Sequence, residues 1–270
     1  MTPNPLLRKA RKRSKDALGL VLLGLTFCGL LAAFAAAMVL TPAPIDAETL
    51  CPLQAPPTSM TLILVDASGP LEPRHRKRLR AAIEEEANRL PYLALLNIRG
   101  MRPNAPRELV DVFSRCNPGD SRNANPLFSN PARIQARWKA QFSDPVKAAA
   151  SRTSNTRQAA STSPILDALA GASQDLAFAS FAGPRRLVLI TDLLEHDPDW
   201  GFSAYADGAD LSRFLARRVG YEVPDLSGIE VRVIVLDRPD LLHRQTAARD
   251  GLWRPFFDRA GAQDVRFEGL

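Results

Sequence analysis

The sequence predicts an α/β fold, a doubly wound and mostly parallel sheet with one antiparallel edge-hairpin strand, preceded by one transmembrane helix. Three observations lead there. Residues Ala17 to Leu40 are an uncharged apolar run. Short unbroken apolar stretches recur at Met60–Val65, Arg186–Asp192 and Glu230–Leu236. Segments with helical spacing lie between them.

Composition bounds the rest. In 270 residues, 46% hydrophobic and 24% charged content excludes a disordered chain, and 22 Pro without periodicity exclude a collagen-like one. The net charge of +6 is concentrated at one end, in Arg8, Lys9, Arg11, Lys12, Arg13 and Lys15, with Asp16 the only acid before Ala17. Removing these from the 35 basic and 29 acidic residues leaves +1, so no global electrostatic case for nucleic-acid binding survives.

Residues 1–16 therefore read as a basic cytoplasmic tail and residues 17–40 as the span. As a helix the span extends roughly 36 Å, enough to cross a hydrocarbon core of about 30 Å. A cleavable signal with processing between Ala35 and Ala47 is the alternative, but such apolar regions are usually only about 7–15 residues long. No basic residue follows the span until Arg74, so the large domain faces outward. In a bacterium with two membranes this means a single-pass inner-membrane protein with a periplasmic domain. Cys28 falls in the span. Cys51 and Cys116 fall in the outward domain, where an oxidising compartment permits a bridge; two buried free thiols are the alternative.

Residues 41–58, with Pro42, Pro44, Pro52, Pro56 and Pro57, read as a stiff linker, and residues 59–270 as the domain. Met60–Val65 suits a strand buried on both faces. Leu79, Ala82, Ile83, Ala87 and Leu90 follow with helical spacing. Tyr92–Ile98 and Glu108–Ser114 predict a hairpin, and Asn117–Asn130 a loop. Pro131–Phe142 and Pro164–Phe178 predict helices with a loop at Ser151–Ser163 between them. Arg186–Asp192 and Glu230–Leu236 complete the buried strands. A helix over Asp240–Ala260 and an edge strand over Asp264–Glu268 close a Rossmann-like sheet.

In such sheets ligands bind beyond the carboxyl ends of the strands. Those ends carry Asp66 with Ser68, and Asp192, an oxygen-rich set suited to a hard cation such as Mg²⁺ or Mn²⁺. Without a cation, two adjacent carboxylates need hydrogen bonds or protonation to relieve their repulsion.

With Asp66-Ala67-Ser68-Gly69-Pro70, the helix entry Ser163-Pro164 and Ile190-Thr191-Asp192 in this order, the chain resembles a von Willebrand factor type A domain. That resemblance implies a metal-ion-dependent adhesion site built from Asp66, Ser68, Ser163 and Asp192, with a partner protein's carboxylate completing the cation's coordination. The sequence departs from the family at Pro70, which stands where a second ligating Ser is expected and has no hydroxyl. A metal-free surface that keeps the geometry therefore stands beside the metal reading, as does a structural scaffold whose metal site is vestigial.

No G-x-S-x-G, P-loop, G-x-G-x-x-G or H-E-x-x-H motif occurs, so an enzyme is not expected. The best enzymatic rival is a phosphohydrolase using Asp66 as nucleophile, although Ser68 stands where its second acid belongs. Arg74 to Arg78 read as a solvated basic face paired in the manner of Arg80 with Glu84, and Glu195 to Asp199 as an acidic surface loop. A zinc site at His196 lacks a second imidazole. Trp200, Phe202 and Tyr205 are expected to pack against the core.

Overall fold

The computed structural model describes residues 19–35, 44–66, 68, 71–102, 105–124, 129–155, 161–205 and 210–269. It separates into two units, Met1–Pro44 and Ile45–Leu270. In the first, residues 19–35 form helix α1 with exposed side chains, including free Cys28. Among the described residues no helix is long and apolar enough to cross a membrane. The basic tail and both flanks of the expected span lie outside the described residues.

The second unit is built on a six-stranded sheet in the order β3-β2-β1-β4-β7-β8. The strands are β1 (Met60–Val65), β2 (Leu95–Gly100), β3 (Val110–Cys116), β4 (Arg185–Thr191), β7 (Ile229–Val235) and β8 (Gln263–Glu268). All neighbours are parallel except β2 and β3. The apolar runs at β1, β4 and β7 occupy the centre, where both faces are covered. Alternation then sends Leu62, Leu64, Leu187, Leu189, Val231 and Val233 to one face, and Ile63, Val65, Val188, Ile190 and Ile234 to the other. Burial of each such side chain contributes roughly 1.5–3 kcal/mol.

On the second face lie α2 (Pro73–Arg89), through Leu79 and Ile83, and a long helix running from Pro131 to Asn155, through Trp138, Phe142 and Val146. The long helix comprises α3 (Pro131–Trp138), a π turn over Lys139–Ser143 and α4 (Asp144–Asn155). It overrides the expected loop from Ser151, because buried Ala149, Ala150, Thr153 and Ser154 are small enough to carry the contact with little hydrophobic signal. On the first face lie α5 (Ile165–Gln174), the short α6 (Leu176–Ala179), α7 (Leu211–Arg217) and a helix from Leu242 to Arg259 comprising α8 (Leu242–Ala248), a π turn and α9 (Arg254–Arg259). The helix expected over Pro164–Phe178 breaks at Asp175, whose carboxylate accepts from the amides of Ala177 and Phe178 and so starts α6. A two-stranded ribbon of β5 (His196–Asp197) and β6 (Phe202–Ser203), and α7 after it, had no counterpart in the sequence reading.

The hairpin forms, but β2 and β3 begin two to three residues later than expected. Leu93 takes a left-handed conformation with φ 60° and turns the chain before β2. Cys116, at the end of β3, is bonded to Cys51, and its amide donates to Thr49 O at 2.8 Å. Leu50, 3% exposed, enters the core. The packed unit thus starts at Ile45, ahead of residue 59.

Charges are buried in specific pairs. Glu86 of α2, 2% exposed, meets Arg232 of β7 and Arg186 of β4, and Arg232 also binds Glu268 of β8. Glu85 and Glu86 of α2 therefore join an ion network, and no Arg80–Glu84 pair forms among the described residues. His75, 1% exposed, donates from Nε2 to Asp237 O at 2.8 Å, since a carbonyl can only accept.

Candidate functional site

Val65 pairs with Ile190 in neighbouring parallel strands, so Asp66 leaves the sheet beside Thr191 and Asp192 follows one residue beyond, both at the carboxyl edge. Asp66 continues the ladder, its amide donating to Ile190 O at 2.9 Å. Both carboxylates are buried, at 5% and 8% exposure. Ser68 reaches Asp66 Oδ1 twice, from its amide at 3.0 Å and its hydroxyl at 2.5 Å. Thr191 Oγ1 donates to Asp66 Oδ2 at 2.9 Å. Ser163 Oγ lies 3.3 Å from Asp66 Oδ2 and 2.9 Å from Ser68 Oγ. Asp66, Ser68 and Ser163 thus stand in one hydrogen-bonded cluster, and Asp192 lies near enough to feel the charge of Asp66.

Ser163 is held there by backbone. Its amide donates to His196 O at 2.7 Å, and its carbonyl accepts the His196 amide at 3.0 Å, a two-bond bridge between the loop before α5 and the loop after β4. A second clamp lies beside it. Glu195 Oε2 accepts the Leu166 amide at 3.0 Å in the first turn of α5. Glu195 is fully buried and Asp197 6% exposed, so the first half of the expected acidic surface loop lines the domain, while Pro198 and Asp199 are exposed as expected. Burial pushes the Glu195 carboxyl well above the usual carboxylate range despite that amide, and Asp197 and Asp167 push the same way. Of the three aromatics, Phe202 is buried, Tyr205 half-buried and Trp200 45% exposed, under a stacking contact from Arg218.

Asp192 has a partner that the sequence did not suggest. Arg238 Nε donates to its Oδ2 at 2.5 Å, while its Oδ1 accepts the Leu194 amide at 3.0 Å. Burial and the neighbouring Asp66 nevertheless raise the Asp192 carboxyl to about 6, against the pull of Arg238. Tyr205 is raised to about 12 by burial and by Asp192. Gln245, fully buried, ties the two loops together: its Nε2 donates to Asp192 O and Leu236 O, and its Oε1 accepts the Arg238 amide. Thr191, Arg238 and Gln245 were missed in sequence. Only the Thr191-Asp192 pairing and a basic residue just past the β7 end were visible there.

A divalent cation between the carboxylates would compete with these contacts. Both Asp66 oxygens accept hydroxyls and one Asp192 oxygen accepts a guanidinium. Mg²⁺ demands near-octahedral oxygen ligation. Pro70, which removes an expected ligand by composition, lies outside the described residues. No group of three or more His, Cys, Asp or Glu able to hold a metal ion occurs among the described residues. As arranged, this donor set does not fit a divalent cation.

No family model matches the chain and no curated protein does. Among solved structures it is similar to the PilB minor pilin of Streptococcus sanguinis in its D319A form, with 13% identity over 80% of this chain and 58% of that one and a TM-score of 0.39. It is also similar to a von Willebrand factor type A protein of Catenulispora acidiphila, with 16% identity over 76% and 42% and a TM-score of 0.31. BatB of Bacteroides thetaiotaomicron is similar at 14% identity over 68% of both chains, with a TM-score of 0.34. The chain spans about half the length of the first two, and likeness at these values is too low to assign a function.

Proposed function

We propose that the protein is a membrane-anchored, extracytoplasmic von Willebrand A-like module that binds or scaffolds another protein at the carboxyl edge of its sheet. The anchor reading rests on the uncharged run behind a basic tail, which also orients the domain toward the periplasm. The one observation that carries the binding site is the convergence of Asp66, Ser68, Ser163 and Asp192, from three separate stretches of chain, on one rim at the ends of β1 and β4. The sheet order, with its single antiparallel edge strand β3, supports the same reading.

Phosphate-ester cleavage by Asp66 draws no comparable support. Its two oxygens are committed to Ser68 and Thr191 hydroxyls, His75 donates to Asp237 O, and His196 packs its ring on Tyr205. Photo-crosslinking in membranes tests the binding reading. A photoreactive residue at exposed Glu72, beside the rim, should give a discrete protein adduct that Asp66→Asn removes. The same residue at exposed Arg89, at the other end of α2, should not. Equal adducts from both positions, unaffected by Asp66→Asn, would sink it.

A further inference from the structure

We infer that Arg238 is the resident cation of this site, so that the domain takes a partner carboxylate on a guanidinium without a divalent ion. This rests on the protein-binding reading above and names the chemistry of its partner.

The first ground is placement. The Arg238 Nε is on Asp192 at 2.5 Å, and Asp192 also feels the charge of Asp66. A positive charge therefore already sits against the carboxylate pair. The second is that the placement is built in. Leu236 N donates to Thr191 O at 2.8 Å, His75 Nε2 donates to Asp237 O, and Gln245 holds both Leu236 O and the Arg238 amide. Four hydrogen bonds thus fix the backbone from Leu236 to Arg238 against β4, α2 and α8, and two of their side chains, His75 and Gln245, are buried at 1% and 0%. A chance surface ion pair would have no such support.

The third ground is unused capacity. Arg238 spends Nε on Asp192, its side chain keeps 21% exposure, and neither Nη nitrogen meets an acceptor among the described residues. A guanidinium offers five donors in a planar fork, and two Nη atoms present the geometry that binds a carboxylate with two hydrogen bonds. A divalent ion would instead require one of its ligands, Asp192, to give up the guanidinium. Asp192 is itself held for Arg238 by the Leu194 amide on its Oδ1 and by Gln245 on its carbonyl, and the ligand class is an Asp or Glu side chain, or a chain terminus, of a partner protein.

The test uses the full chain in detergent, with Mg²⁺, Mn²⁺ and succinate as probes. Thermal unfolding of the wild type should shift by less than about 1 °C with either metal at 5 mM. Arg238→Ala should gain a metal-dependent rise of several degrees, because ligand that binds only the native state raises its stability. Saturation-transfer NMR should detect succinate on the wild type and lose it in Arg238→Ala. A wild type stabilised by metal as much as or more than the variant overturns the inference. So does a variant that ignores metal, or an equal succinate signal in both. Arg238→Lys, which keeps charge but not the fork, should retain metal indifference and weaken succinate at least threefold; unchanged succinate binding counts against carboxylate capture by the fork. If crosslinking at Glu72 finds no partner while these results hold, the adhesion reading falls and the Arg238 assignment stands.

Discussion

Replacing Asp192 with Asn should change how stability depends on pH, and the sign follows from the direction of its shift. The folded carboxyl titrates at about 6 against 3.8 for a free one, so the folded state holds its proton more tightly than the unfolded state. Such a group contributes stability fully below pH 3.8 and loses it as pH rises through about 6. A shift of about 2 units corresponds to about 3 kcal/mol in all, of which about 2 kcal/mol falls between pH 4 and 7.5. Glu195 shifts the same way and Asp66 stays beside position 192, but both are present in the wild type and in the variant. The difference between the two curves therefore reports residue 192 together with its charge coupling to Asp66. Urea unfolding of the purified full chain, followed by tryptophan fluorescence at half-unit steps over that range, measures it. The wild type should lose about 2 kcal/mol relative to Asp192→Asn as pH rises. Parallel curves, or a wild type that gains relative to the variant, would show that Asp192 is not held as a buried, high-affinity proton site.

Two further outcomes follow from packing and covalent geometry. Paired Cys51→Ser and Cys116→Ser substitutions open a loop of 65 residues, for which the chain-entropy estimate is about 4 kcal/mol; a midpoint change worth under about 1 kcal/mol in chemical unfolding would mean that the bridge does not constrain the unfolded chain. Gly171 of α5 stands where an added Cβ would lie 2.3 Å from the carbonyl oxygen of Arg107 and 2.8 Å from its Cα. Gly171→Ala should therefore lower stability by about 2 kcal/mol despite a helix-propensity gain of about 1 kcal/mol. Gly100→Ala, with its nearest neighbour at 3.9 Å, should stay within about 0.5 kcal/mol of wild type, and calorimetry on both separates the close approach from a general glycine effect.

Legibility in the sequence followed the range of the interactions. β1, β4 and β7 were readable because central parallel strands are buried on both faces and so become short apolar runs. Asp66 and Asp192 were readable because each interrupts such a run at its carboxyl end. α4 was not, since Ala149, Ala150 and Ser154 fill the gap against α2 by being small, and small residues leave little periodic hydrophobicity. Buried Glu195 looked like a surface acid because nothing local announces that Leu166, 29 positions earlier, will supply its amide.

The same limit explains why the site's acids were legible and its cation was not. A strand-end Asp is marked by the strand that precedes it, whereas Arg238 is placed by its own contacts with Asp192 and Gln245 and by the bond from His75 to its neighbour Asp237, which spans 162 positions. Composition set the problem these contacts solve: two carboxylates leaving adjacent strands need a positive charge, protons or hydroxyl donors near them. The fold draws on all of them at once, with three hydroxyls on Asp66, a raised proton affinity on Asp192 and a guanidinium set on Asp192 from a braced stretch of backbone. Removing the guanidinium leaves the two carboxylates with hydroxyls and protons alone, and that is the condition under which an external cation should begin to compete for the site.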